Sequence, residues 1–76
     1  MKTSELTAKE QAIWDLLYKS EVPLPARVIY EQVWGERYLF SSQNTVAVHI
    51  ARLRKKRPQP PIITLWGRGY RMKKED

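Results

Sequence analysis

The segment Asn44-Thr45-Val46-Ala47-Val48-His49-Ile50-Ala51-Arg52-Leu53-Arg54-Lys55-Lys56 holds the side chains best equipped for chemistry. Wound as a helix at about 100° per residue, it puts Val46, Ile50 and Leu53 on one stripe, which must be the buried one. Asn44, Val48, Ala51, Arg52 and Lys55 then fall on the opposite face, with Thr45, His49 and Lys56 on one shoulder and Arg54 on the other. A guanidinium can hold O6 and N7 of guanine with two parallel N–H bonds, and a small apolar side chain can touch a thymine methyl. Arg52 and Val48 therefore have the chemistry of major-groove readout. Arg54, Lys55 and Lys56 suit phosphates, and Thr45 at the helix start can donate to one. The plain alternative is a helix whose basic residues are simply solvated.

Charge distribution argues against that alternative. Up to Gln43 five bases meet six acids, whereas from Asn44 onward nine bases meet only Glu75 and Asp76, so the whole formal excess of +6 lies in the second half. A one-sided basic half in a small domain is the electrostatic footprint of a nucleic-acid binder, with an anionic membrane surface or an acidic protein as rivals. The rest of the composition excludes other classes. There is no cysteine and His49 is the only histidine, which removes disulfide scaffolds, thiol catalysis and zinc sites of the cysteine or multi-histidine type. A lone histidine with no nucleophile beside it makes no catalytic site. Gly67-Arg68-Gly69 lacks the pattern of a phosphate-cradling loop that opens a helix. No enzyme, cofactor or metal is read from this chain.

Seventy-six residues make one domain, spanning 1–76. Hydrophobic residues at 42% are enough for a modest core, so the chain should fold. The start is polar and no apolar run approaches a membrane span, so the expectation is a cytoplasmic protein with no membrane partner. Thr7 with Glu10 three residues later is a capping box, and it predicts a helix from about Ala8 to Lys19. In that helix Ala12, Ile13, Leu16 and Leu17 form the apolar side, and Lys9, Glu10, Asp15 and Lys19 the polar one. Pro23 and Pro25 forbid a helix and leave Val22 to Leu24 as a short edge strand. Pro25 also suits the first turn of a second helix, about Ala26 to Trp34, with Gly35 as its C-cap. Glu36 to Gln43 has no period and reads as a loop ending in a Ser41 or Ser42 N-cap. A third helix runs from about Gln43 to Lys56, until the prolines after Arg57 end it. Ile62 to Met72 reads as a β-hairpin turning at Gly67-Arg68-Gly69. Residues 1–5 and 73–76 are expected to be frayed ends. The fold class is α+β, mainly α: three helices, a short antiparallel sheet and a C-terminal hairpin wing, in other words a winged helix-turn-helix.

At this point the residues resemble a known family. The stretch from Asn44 to Lys56 is similar to the recognition helix of OmpR/PhoB-type winged-helix domains, the DNA-binding halves of many two-component response regulators. Leu6-Thr7-Ala8-Lys9-Glu10 resembles the opening of that family's first helix, Val33-Trp34-Gly35 the end of its second, and Thr64-Leu65-Trp66-Gly67-Arg68-Gly69-Tyr70-Arg71 its wing. The resemblance covers about Leu6 to Met72. It implies a small bacterial or phage-like transcription regulator that binds double-stranded DNA, with the third helix in the major groove and the wing, about 62–72, in the minor groove. It also implies phosphate contacts for Thr64 and for the indole N–H of Trp34, although for Trp34 a packing role is an equal expectation. Family members bind direct repeats head to tail, so a head-to-tail dimer on DNA is implied.

The chain departs from the family in two ways. Only Met1 to Glu5 precede Leu6, leaving no room for the usual N-terminal sheet or a receiver domain, so a stand-alone regulator or a fragment is expected. Gln11, where the family has a large apolar residue, points to the former. The wing has Trp66 where many members carry a minor-groove cation, and places its own cation at the tip, Arg68. The expectation is that Arg68 enters the minor groove and that Trp66 packs on the sheet or the sugar-phosphate edge. The alternative function is an adaptor that binds a protein, such as an RNA polymerase subunit, through the loop with Arg37, Tyr38 and Phe40, the segment that contacts polymerase in family activators.

Overall fold

The first helix has to bury a carboxylate, and that requirement organises the rest. The computed structural model describes residues 5–74, so Met1–Ser4, Glu75 and Asp76, most of the ends expected to fray, lie outside the described residues. Helix α1 spans Ala8–Lys19 and opens with the capping box: the Glu10 amide donates to Thr7 Oγ1 at 3.2 Å and the Thr7 amide to Glu10 Oε1 at 2.9 Å. Its buried residues are Glu10, Ile13, Trp14 and Leu17, an i, i+3, i+4, i+7 stripe. Glu10 was expected on the polar side, and the correction has a clear cause. Its carboxylate accepts from Lys56 Nζ at 2.7 Å, with the glutamate side chain only 1% exposed and the lysine side chain 28%. Burial pushes the Glu10 pKa up, but the bonds from Lys56 and Thr7 outweigh it and hold the group below the usual glutamate value.

Helix α2 spans Ala26–Trp34, entered through Pro25 in extended conformation and closed by Gly35 at φ 69°. Helix α3 spans Ser42–Lys56 and buries Ser42, Val46, Ile50 and Leu53. One of the two serines expected at the N-cap of α3 is there, but without a side-chain capping bond. Ser41 is that residue, while the Ser42 hydroxyl reaches backward to accept from the Leu39 amide at 3.0 Å.

Strands β1, Ile62–Leu65, and β2, Gly69–Met72, pair antiparallel with Ile62 opposite Met72 and Leu65 opposite Gly69. The edge strand expected at Val22 to Leu24 shrinks to one residue, since only Leu24 bridges to Tyr70, through bonds of 2.8 and 2.9 Å. Where fraying was expected, the Lys73 amide donates to the Pro61 carbonyl at 2.8 Å and the Lys74 ammonium lies 4.9 Å from the Tyr18 ring centre. The core gathers Ile13, Trp14 and Leu17 from α1, Ile29 from α2, Val46, Ile50 and Leu53 from α3, and Ile62 and Met72 from the hairpin.

Removing the cation from this arrangement leaves a carboxylate buried without its partner. Lys56→Met is expected to lose about 2–3 kcal/mol at pH 7, read by urea denaturation. Because the folded-state pKa of Glu10 is depressed, its stabilisation is present above the ordinary glutamate range and is lost as pH falls through the depressed value. The deficit of Lys56→Met should therefore narrow on acidification.

Candidate nucleic-acid interface

The face of α3 turned away from the core carries exposed Asn44, Val48, Arg52 and Lys55, spaced at four, four and three residues. That spacing keeps them in one stripe along the helix. Ala47 and Ala51 are exposed beside them. The sequence reading omitted Ala47, whose signal was its size: methyl side chains let another molecule come close to the helix backbone between the longer arms.

Thr45 and His49 lie half-buried on the shoulder of this stripe, and His49 Nδ1 sits 2.8 Å from the Thr45 carbonyl. A carbonyl only accepts, so Nδ1 is the donor in this contact. The His49 ring meets the Trp34 indole edge-on with centroids 5.0 Å apart, and Trp34 stacks on Tyr30 at 4.9 Å. Lys9 Nζ stands 5.5 Å from the Trp34 ring. Trp34 is thus half-buried in an aromatic stack that joins the end of α2 to the middle of α3, the packing role given to it as one of two expectations.

Two of the cations assigned to phosphates are already engaged. Lys56 turns to Glu10. Arg54 donates from Nε to the Ile62 carbonyl and from Nη2 to Thr64 Oγ1, both at 2.9 Å, which brings two candidate residues from α3 and β1 together as a pair.

The wing turns at Trp66–Arg68, where the Arg68 amide donates to the Leu65 carbonyl at 2.8 Å and Gly67 takes φ 79°. Arg68 is exposed at the tip, as expected. Trp66 does not pack on the sheet: it is 91% exposed, because the turn holds it beyond the last strand pair. A shallow groove between the wing and the starts of α2 and α3 is lined by Pro25, Ala26, Gln43, Thr64, Trp66 and Arg68. The loop before α3 splits its two aromatics. Tyr38 packs edge-on against Tyr30 at 6.0 Å, while Phe40 is 94% exposed beside exposed Arg37 and Leu39.

A model of the family described as transcriptional regulatory protein, C terminal, matches residues 2–72. The chain belongs to this OmpR/PhoB-type family. Among relatives of this OmpR/PhoB-type domain, the transcriptional regulatory protein YrkP of Bacillus subtilis is 48% identical over 61 residues, covering 74% of this chain and 26% of that protein. The regulatory protein VanR of Enterococcus faecium is 33% identical over 79 residues, covering 96% of this chain and 34% of that protein. The domain thus spans between 26% and 34% of the length of these two relatives. The crystal structure of the DNA-binding domain of Bacillus subtilis CssR superposes with a TM-score of 0.78, covering 91% of this chain and 78% of that one at 33% identity. The winged-helix architecture read from the sequence is the one this OmpR/PhoB-type domain has.

The wing of the domain rests on one glycine. A Cβ on Gly69 would collide with the backbone carbonyl of Leu24, and Gly69 sits at φ 124°, where L side chains are strained. Gly69→Ala is expected to cost about 2–4 kcal/mol in thermal denaturation and to break the Leu24–Tyr70 bridge, visible as faster exchange of the Tyr70 amide.

Proposed function

We propose that this domain binds duplex DNA sequence-specifically as part of a transcription regulator, with α3 in the major groove and the wing in the adjacent minor groove. The observation that carries the reading is the α3 stripe of Asn44, Val48, Arg52 and Lys55, in which both cations are exposed and neither has an intramolecular partner among the described residues. Free cations in register with small side chains on a helix face match what a groove of stacked bases between phosphates requires. Membership in a transcriptional-regulator family and the likeness to a domain named as DNA-binding support it.

In this reading Arg52 holds a base edge, Val48 touches an apolar one and Asn44 lies alongside. Lys55, Thr45 and His49 face phosphates, as do Trp34 and Thr64 at the two margins. Arg68 enters the minor groove, and Trp66 lies against the sugar-phosphate edge. Two chains on direct repeats would sit head to tail. The exposed pair Leu39 and Phe40, 56% and 94% exposed, favours a protein contact as well. Aromatic anchors are enriched at interfaces, and an RNA polymerase subunit is the partner this reading gives that loop. No catalytic role is assigned.

Salt titration tests the reading directly. With Lys56 withdrawn to Glu10, about four to five cations remain for phosphates, and log affinity for duplex should fall against log salt with a slope of about −4. A slope near zero, or no duplex binding at low salt, points instead to the adaptor that binds only protein.

Base reading is tested separately from phosphate binding. Arg52→Ala should lose about 1–3 kcal/mol on a selected duplex and relax preference at one position, while Lys55→Ala should weaken selected and random duplexes alike. Equal losses for Arg52→Ala on both duplexes would remove its base contact.

A further inference from the structure

We propose that Arg54 is a positioning residue, a brace that holds the wing at a fixed separation from α3 and so sets the distance between the two DNA-contacting elements. The proposal rests on the DNA reading above for its purpose, but the brace itself is a property of the free chain.

Three observations carry it. First, the only covalent link from α3 to the wing is Arg57-Pro58-Gln59-Pro60-Pro61, and the wing tip at Trp66–Arg68 lies a full strand beyond the end of that link. At about 3.3 Å per residue, β1 is a lever of roughly 13 Å, so a small rotation at Ile62 displaces Arg68 by several times as much. Second, Arg54 grips that lever twice. Its Nε and Nη2 donate to the Ile62 carbonyl and to Thr64 Oγ1, both at 2.9 Å. A planar guanidinium bonded at two points fixes direction as well as distance, which a lysine ammonium cannot do. Third, the acceptor on the backbone is a free one. Lys73 donates to Pro61, so in the antiparallel ladder the inward-bonded pairs are Ile63 with Arg71 and Leu65 with Gly69, and the Ile62 carbonyl faces outward with no strand partner. Arg54 supplies its hydrogen bond.

A domain that must engage two grooves at once behaves as a bivalent binder. Once α3 is seated, the wing binds with an effective concentration set by the stiffness of its attachment, and each freedom removed beforehand need not be lost on binding. The contribution of Arg54 therefore passes through Arg68. A phosphate contact by Arg54 would instead act without reference to the wing and would be served by any cation.

The test compares wild type, Arg54→Lys, Arg68→Ala and the double variant on a duplex selected by the wild-type chain from a random pool. It also follows amide hydrogen exchange of each free protein. Arg54→Lys keeps the charge and should still bind about tenfold more weakly, the scale of losing a charge-assisted hydrogen bond. On the Arg68→Ala background the same substitution should cost less than about twofold. In the free protein Arg54→Lys should speed exchange of the Ile63 and Arg71 amides and leave the α1 amides unchanged. Wild-type affinity for Arg54→Lys, equal losses in both backgrounds, or unchanged exchange at Ile63 and Arg71 would each overturn the brace. A wild-type chain that selects no duplex sinks the DNA reading instead, and the exchange comparison alone then decides the brace.

Discussion

The Glu10 carboxylate is 1% exposed beneath the first turn of α1, and its partner is the last residue of α3. A buried charge is tolerated only when paired and hydrogen-bonded, so the start of the first helix and the end of the third are bound to stay together. Thr7 completes the pair by bonding the same carboxylate from the backbone. Given that tether, α3 cannot roll about its own axis without pulling Lys56 off Glu10, and its stripe of Asn44, Val48, Arg52 and Lys55 faces a set direction. The aromatic stack of Tyr30, Trp34 and His49 holds the middle of the same helix from the side of α2.

The basic half of the chain is divided between holding the molecule together and facing outward. Lys56 pairs with Glu10, Arg54 bonds the first strand, Arg57 lies 5.2 Å from the Trp14 ring centre and Lys74 covers Tyr18. Arg52, Lys55 and Arg68 are exposed with no intramolecular partner among the described residues. Net charge alone counts all of these equally. The division explains why a helix ending in Arg54-Lys55-Lys56 offers a partner fewer free cations than its sequence suggests.

Much of the fold was legible because local chemistry and tertiary packing agree. The Thr7–Glu10 box fixed the start of α1, Pro25 and Gly35 bounded α2, and the prolines after Arg57 ended α3 within a residue of where the periodicity placed it. The failures came where a distant partner decides. Nothing local distinguishes Glu10 on a polar face from Glu10 in a core, since the difference is a lysine 46 residues away. Trp14 went unread for the same reason: a stripe starting at a glutamate is not recognisable as apolar. Of the interface, the α3 face was legible from periodicity, and the Arg68 tip from the glycines around it. The loss of Arg54 and Lys56 to internal partners was not, and neither was the second duty of Gly69, which follows from where the Leu24 carbonyl lies.

The single bridge from Leu24 to Tyr70 has a consequence beyond the wing. Leu24 turns its amide and carbonyl toward Tyr70, so the residues on either side, Pro23 and Pro25, are those whose backbone nitrogens would point outward, and neither carries a hydrogen. At the bridge itself, that rim offers no donors to a passing strand. On the opposite rim the outward carbonyl of Ile62 is occupied by Arg54. Each side of the β-branched hairpin is thereby closed at one point to the strand-to-strand pairing that leads to aggregation, while the backbone of Thr64 still faces outward. The hairpin therefore presents fewer open backbone groups to a second copy of the chain than its β-branched sequence alone would suggest.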